Sequence, residues 1–128
     1  MINNYHCIFL PFPPSVNAAY AGKARRYKSK QYQNWLDRAL LSLLQQKIFG
    51  TIDYRCHVKM TFGRPDNRVR DVANYEKLVS DFLVKMELLA DDSLIESIWL
   101  LWDDGSQLVQ GVRVEIFNIT DIVLFGGN

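Results

Sequence analysis

Residues 54–62 alternate between apolar and polar side chains without a break. The apolar members of this segment are Tyr54, Cys56, Val58, Met60 and Phe62. The polar members are Arg55, His57, Lys59 and Thr61. Because successive side chains of a β-strand point to opposite faces of a sheet, the alternation predicts a strand whose apolar face lies in a core. The fold is therefore expected to contain a sheet, and the other elements are predicted around this strand.

Two helices are predicted from apolar residues that recur every three or four positions. The first has Ser29 as its N-cap, continues to Lys47 and is closed by Gly50. Its predicted buried stripe consists of Trp35, Leu36, Ala39, Leu40, Leu43 and Leu44. The second helix is predicted over residues 72–86, after a turn-rich loop at residues 63–67. Its predicted buried side consists of Tyr75, Leu78, Val79, Phe82 and Met86.

Three further strands are predicted, at residues 5–10, 94–102 and 108–116. The first ends at three prolines in residues 11–14, which block both a helix and a central strand. Residues 103–106, Asp-Asp-Gly-Ser, are predicted to join the last two strands as a hairpin turn. The order βαβαββ predicts an α+β fold, a single two-layer domain over residues 1–128 with its helices packed on a mixed or antiparallel sheet. The apolar tail at residues 122–125 is expected to complete the core or to meet a second subunit.

The net charge of +1 conceals a strong charge asymmetry along the chain. Residues 1–50 contain seven Lys or Arg and one acid, whereas residues 91–128 contain one Arg and seven acids. Because local fields attract partners, a near-neutral total does not exclude nucleic acid. Residues 15–28 are predicted to be a loop before the first helix. The basic cluster that ends it is either a solvated segment or a contact for a phosphate backbone, and consists of Lys23, Arg25, Arg26, Lys28 and Lys30.

Several protein classes do not fit this sequence. No apolar run approaches the roughly 20 residues that span a bilayer, and the first residues lack a secretory pattern, so no membrane association and a cytoplasmic location are expected. Cys7 and Cys56 lie in apolar-alternating segments and are expected to be small buried hydrophobes. Their spacing relative to His6 and His57 matches no zinc motif, so zinc is not expected.

Acidic residues that could bind a metal occur at two points. Asp71 lies where a loop becomes a helix, and Asp91 and Asp92 precede a strand. Each point has a local explanation, since Asp caps helices and favours turns. If the two points converge, their hard oxygen atoms would suit Mg²⁺. Lys77 either offers charge to a phosphate or pairs with Asp81 one turn later.

Four short segments together resemble the RusA family of Holliday junction resolvases. They are LPFPPSVN at residues 10–17, RDVANYEK at 70–77, DFL at 81–83 and LADDS at 89–93. The resemblance extends in order and spacing over residues 5–117, with the basic loop and the first helix in their expected places. Because several motifs agree together, the combination is more specific than any single motif.

The resemblance implies a homodimeric, Mg²⁺-dependent nuclease that nicks two opposed strands of branched DNA, the four-way junction, in DNA recombination and repair. Mn²⁺ would be a possible substitute for Mg²⁺, and a phage or prophage setting is expected. The resemblance also assigns roles to individual residues. Asp71 and Asp92, with Asp91 beside them, become metal-binding catalytic carboxylates, and Lys77 becomes the catalytic lysine. Arg68 and Arg70 would approach phosphates at the mouth of the site.

Ala73 departs from the family pattern, which has a second Asp at this position. Three explanations remain open: an engineered inactivation, a natural subgroup that uses Asp71, Asp91 and Asp92 or recruits Glu76, and a junction-binding dimer that does not cut. A further alternative, independent of the resemblance, is a small α+β interaction protein that binds no nucleic acid.

Overall fold

The alternating segment forms the strand β4 (Cys56–Phe62), which lies inside a four-stranded sheet. A computed structural model describes residues 5–48, 50–107 and 109–119. The other elements of these residues are β1 (Tyr5–Leu10), β2 (Tyr20–Ala21), β3 (Tyr27–Lys28), α1 (Lys30–Gln46), α2 (Glu76–Lys85), β5 (Ile95–Trp102) and β6 (Val112–Asn118), with 3₁₀ turns at Val72–Tyr75 and Asp92–Leu94. Two helices packed with a mixed sheet confirm the predicted α+β fold.

The strand order of the large sheet is β1-β6-β4-β5. β6 is antiparallel to both of its neighbours, whereas β5 is parallel to β4. The alternate residues of β4 that were predicted to face a core, Cys56, Val58, Met60 and Phe62, are fully buried. Burial of Cys56 raises the pKa of its thiol to about 11, so this side chain behaves as a small apolar group.

The predicted hairpin between the last two strands is wrong. β4 lies between β5 and β6, so that Phe62 pairs with Trp102 on one side and with Val112 on the other. The connection crosses the end of β4, where the amide of Gly63 donates to the carbonyl of Gly111 at 2.8 Å. A Cβ on Gly63 would lie 1.7 Å from the carbonyl oxygen of Val109, so the crossing requires glycine. β6 accordingly begins at Val112, later than predicted.

The helix α1 confirms its predicted N-cap, because the Ser29 hydroxyl accepts from the amide of Tyr32. Its buried stripe is narrower than predicted. Leu40 and Leu44 are 41% and 60% exposed, because the helix presents a single line of residues to the sheet. That line consists of Tyr32, Trp35, Ala39 and Leu43. The predicted closure by Gly50 is also wrong, since Lys47 ends the helix in the left-handed conformation at φ 56°.

The second predicted helix divides into two parts. Residues Val72–Tyr75 form a 3₁₀ turn, and the α-helix proper begins at Glu76. The apolar side predicted for this helix is buried at Tyr75, Leu78, Val79 and Phe82, while Met86 packs partly buried against the core. Within the described ranges, no helix combines the length and apolar character needed to cross a bilayer. The tail at residues 122–125, for which a core or subunit contact was predicted, lies outside the described residues.

Candidate active site and nucleic-acid interface

The proline-rich segment after β1 packs against the 3₁₀ turn that follows Asp71. Phe12 lies 5.0 Å from Tyr75 between ring centroids, and stacks on Trp102 at 6.1 Å and 11°. The amide of Val16 donates a 2.9 Å hydrogen bond to the carbonyl of Asn74. Two of the four motif segments identified in the sequence are therefore in direct contact.

Asp71 is the N-cap of this turn. Its Oδ1 accepts a 3.1 Å hydrogen bond from the amide of Ala73, and its carbonyl accepts from the amide of Asn74 at 3.0 Å. The local capping role that the sequence suggested is thus present. The carboxylate is exposed, and its other oxygen has no hydrogen-bond partner among the described residues. The second oxygen is available to a ligand.

Asp91 and Asp92 differ in their surroundings, although they are neighbours. Asp91 caps the turn Asp92–Leu94, accepting from the amide of Ser93 at 3.1 Å and from the Ser93 hydroxyl through the same oxygen. These hydrogen bonds, first that of the hydroxyl, lower the pKa of Asp91. Asp92 is exposed, and within the described part of the chain its carboxylate has no hydrogen bond or ion pair.

Lys77 and Asp92 line one open cleft of about 440 Å³ beside the edge strand β5. The acidic side chains that share its lining are Glu76, Asp81 and Glu96. Lys77 pairs with Asp81 at 3.4 Å, with both side chains substantially exposed. Such exposed pairs contribute little, about 0–1 kcal/mol, so a phosphate can compete for the lysine. Glu76 accepts a 2.5 Å hydrogen bond from the Ser80 hydroxyl.

A metal site of three carboxylates is not formed by the described residues, in which no three His, Cys, Asp or Glu side chains are grouped closely enough to hold an ion. The side chain at position 73, where the family pattern has Asp, is an exposed methyl group. Asp71 and Asp92 each offer the hard oxygen atoms that magnesium prefers.

Asp66 fixes the two arginines that precede Asp71. Its carboxylate accepts from both terminal nitrogens of Arg70, at 2.5 and 2.9 Å, and from Nε of Arg68 at 3.2 Å. These bonds, chiefly that of Arg70, hold the pKa of Asp66 well below its usual value. The Arg70 side chain is only 12% exposed and lies 6.0 Å from the Phe12 ring, whereas Arg68 is 79% exposed. Arg68 is thus the more accessible of the two predicted phosphate contacts.

The basic loop is a short hairpin rather than irregular backbone. β2 and β3 pair from Tyr20 with Lys28 to Ala21 with Tyr27. The turn between them carries three of the predicted cations, all of them exposed: Lys23, Arg25 and Arg26. Lys28 lies beside Lys85 of α2, and this neighbour lowers the pKa of Lys85. The fold therefore gathers cations around the hairpin, and Lys85 joins a cluster that the sequence had confined to residues 23–30.

Two residues at this surface were missed by the sequence reasoning. Arg38 of α1 lines a groove together with Arg68 and Arg70, although it is 30 positions from the nearer one. No local signal identifies it, because its proximity depends on how α1 packs. Asp66 also gave no local signal, because the i,i+4 rule for ion pairs applies to helices and residues 66–70 form a loop.

Comparison with known proteins gives one family and two relatives. The family described as endodeoxyribonuclease RusA matches residues 11–117. A crossover junction endodeoxyribonuclease RusA of Aquifex aeolicus is 31% identical over 86 residues, covering 67% of this chain and 68% of that protein. A crossover junction endodeoxyribonuclease of Enterobacteria phage HK97 is 26% identical over 117 residues, covering 88% of each chain.

Proposed function

The chain belongs to the RusA family of endodeoxyribonucleases, and from that premise we propose that it is a structure-selective endonuclease that resolves four-way (Holliday) DNA junctions. The observation that carries the proposal is the cleft shared by Lys77 and Asp92. These residues come from different motif segments, and both are exposed where a DNA backbone can reach them. The reaction class is hydrolysis of a phosphodiester, in which water adds to phosphorus and one P–O bond to a sugar breaks.

Mg²⁺ is the proposed cofactor, with Mn²⁺ as a substitute, and Asp71 and Asp92 would hold it with Asp91 beside them. The fit rests on three oxygens outside local bonding: both of Asp92 and one of Asp71 have no partner among the described residues. Magnesium commonly takes one or two carboxylates, keeps several waters and is completed by substrate phosphates. A bound ion of this kind activates water and stabilises charge on the leaving oxygen. Lys77 would break its ion pair with Asp81 and contact the phosphate instead.

Ala73 bears directly on whether the chain cuts DNA. Glu76 lines the same cleft as Asp92, which favours a natural subgroup that recruits Glu76 in place of the second motif Asp. The second candidate function is a junction-binding dimer without cleavage, and it is favoured by the lack of a three-carboxylate group within the described residues. The two functions share a substrate and differ only in the chemical step.

A homodimer is part of the proposal, because two opposed strands are nicked symmetrically only if two sites are present. The strand β5 forms one edge of the sheet, and two of its side chains that do not line the cleft, Trp99 and Leu101, are 39% and 40% exposed. An apolar edge strand of eight residues is a template for pairing with another chain. We assign this edge to the second copy. The cellular role proposed is DNA recombination and repair in the cytoplasm, in a phage or prophage setting.

Cleavage of a synthetic four-way junction with millimolar Mg²⁺ tests the proposal, with linear duplex of the same sequence as control. Paired nicks of the junction alone are expected, and Asp92→Asn should abolish them while junction binding persists. Binding to the junction without nicks, in either Mg²⁺ or Mn²⁺, would select the non-cutting dimer. No salt-dependent binding to any DNA would favour the interaction protein and reject both.

A further inference from the structure

A second groove, of about 580 Å³, is lined by residues other than those of the cleft of Lys77 and Asp92. Its walls are α1, the proline-rich segment after β1 and the loop that leads to Asp71. Three arginines line it, Arg38 from α1 and both Arg68 and Arg70 from the loop before Asp71. The groove and the cleft have no lining residue in common, so they are separate features.

The groove carries excess positive charge. Asp66 is the one acid in its lining, and it bonds to Arg68 and Arg70. The guanidinium of Arg38 is exposed and has no hydrogen-bond or ion-pair partner among the described residues. A guanidinium presents parallel N–H donors that match two phosphate oxygens. Arg38 is therefore the cation of the groove that is most available to an anion.

The groove and the cleft are lined by consecutive residues at the end of the 3₁₀ turn. Tyr75 lines the groove, and Glu76, the next residue, lines the cleft. At the start of the same turn, Arg70 of the groove is followed directly by Asp71. The chain segments that line the groove thus continue directly into those that carry Asp71 and Glu76. A small free anion would not need this continuity, whereas a DNA strand would.

We propose that this groove binds the phosphodiester backbone of the DNA strand next to the reactive position, and that Arg38 donates to one of its phosphates. The inference rests on the proposed function, because it takes branched DNA as the substrate. It adds a contact from α1 to the DNA backbone, whereas the sequence predicted only a buried apolar stripe on this helix. Arg38 is assigned as a positioning residue, because it does not line the cleft of Lys77 and Asp92.

Equilibrium binding of a four-way junction without divalent metal, across a salt series, tests the role of Arg38. The test variant is Arg38→Gln, and the matched control is Lys47→Asn. The control removes one positive charge from the C-terminal end of the same helix, and Asn tolerates the left-handed conformation of residue 47. Loss of a charged hydrogen bond should weaken binding about tenfold at low salt. The slope of log K against log salt should also fall by about 0.9 per lost phosphate contact. Lys47→Asn should change neither quantity.

A scan with junctions that each carry one neutral methylphosphonate linkage locates the contact. At one linkage near the cut position, neutralisation should weaken wild-type binding and have no effect on Arg38→Gln. If the wild-type protein binds the junction and Arg38→Gln binds it as tightly as Lys47→Asn does, the proposed role of the groove is wrong and the proposed function stands. Absence of wild-type binding to any junction would overturn both. Equal unfolding midpoints of the variants exclude a folding effect.

Discussion

Val16 and Asn74 are joined by a 2.9 Å hydrogen bond between the amide of the first and the carbonyl of the second. Val16 belongs to the proline-rich motif and Asn74 to the motif that begins at Arg70. Phe12 adds a ring contact of 5.0 Å to Tyr75 at the end of the same turn. The position of Asp71, the N-cap of this turn, therefore depends on a segment almost sixty residues earlier. The N-terminal motif thus packs directly against the turn that Asp71 caps.

The dimer proposal predicts sedimentation at twice the chain mass of 14.9 kDa at micromolar concentration. Leu101→Lys, on the exposed edge strand, should weaken association by about 1–2 kcal/mol and shift the protein towards monomer, because a charge would be buried at the interface. Leu44→Lys, on the exposed side of α1, is the matched control and should leave the mass unchanged. If Leu44→Lys alone dissociates the dimer, the interface is on α1 instead.

The crossing at Gly63 predicts a large effect of a small substitution. Gly63→Ala places a Cβ against the backbone of Val109, which cannot move aside as a flexible side chain can. Unfolding free energy measured by denaturant titration should fall by about 1–3 kcal/mol or more. Asn67→Ala, in the exposed loop after β4, is the control and should change stability by less than about 0.5 kcal/mol. Equal stabilities would show that the β5–β6 connection does not cross β4 closely.

The hydrogen bonds from Arg68 and Arg70 to Asp66, here called the arginine clamp, predict that the folding stability depends on pH. Because the pKa of Asp66 is lowered in the folded chain, its carboxylate contributes stability above the ordinary Asp value of roughly 3.9. That contribution is lost as the pH falls through the lowered folded value. A carboxyl ¹³C NMR titration should show Asp66 still ionised below the ordinary range, and Arg70→Gln should return its midpoint towards that range. A midpoint unchanged by Arg70→Gln would contradict the clamp.

The cations of the β2–β3 hairpin are predicted to contact DNA without reading its sequence. Replacing Arg25 and Arg26 together by Glu should weaken binding to junction and duplex alike and flatten the salt dependence, since fewer counterions are released. The fold should remain, because both side chains are exposed. Fluorescence anisotropy at several salt concentrations measures the effect. Unchanged affinity at low salt would show that the hairpin does not contact DNA.

Local features of this fold could be predicted from the sequence, whereas features set by distant contacts could not. The N-cap of α1 at Ser29 and the alternation in β4 depend on nearby residues, and both are confirmed. The neighbours of β5 depend on which strand occupies the centre, and a favourable turn sequence at residues 103–106 was misleading because the chain continues over Gly63.

In the candidate site, too, features set by the local sequence could be predicted, whereas features set by distant contacts could not. The capping role of Asp71 was predictable because it follows from the place of this residue at a turn. The groove that Arg38 lines was not predictable, because it depends on how α1 packs. The choice among the alternatives for Ala73 depends on acids from separate elements. Pairing of Lys77 with Asp81 was weighed from spacing and is present. Whether that pair opens for a phosphate depends on DNA, and no pattern in the chain reports it.

Ala73→Asp tests the site most directly. Residue 73 is exposed in the turn that Asp71 caps, and an acid near the start of a helical segment costs the fold little. The new carboxylate should add a hard oxygen ligand next to Asp71, so Mg²⁺ affinity should rise and junction cleavage should appear or increase. Calorimetry of Mg²⁺ binding and a junction-nicking assay measure the two effects, and Asp71→Asn in the same chain should remove both. A folded Ala73→Asp protein that binds junctions, yet gains neither Mg²⁺ affinity nor cleavage in Mg²⁺ or Mn²⁺, would show that these carboxylates serve only the cap and the turn.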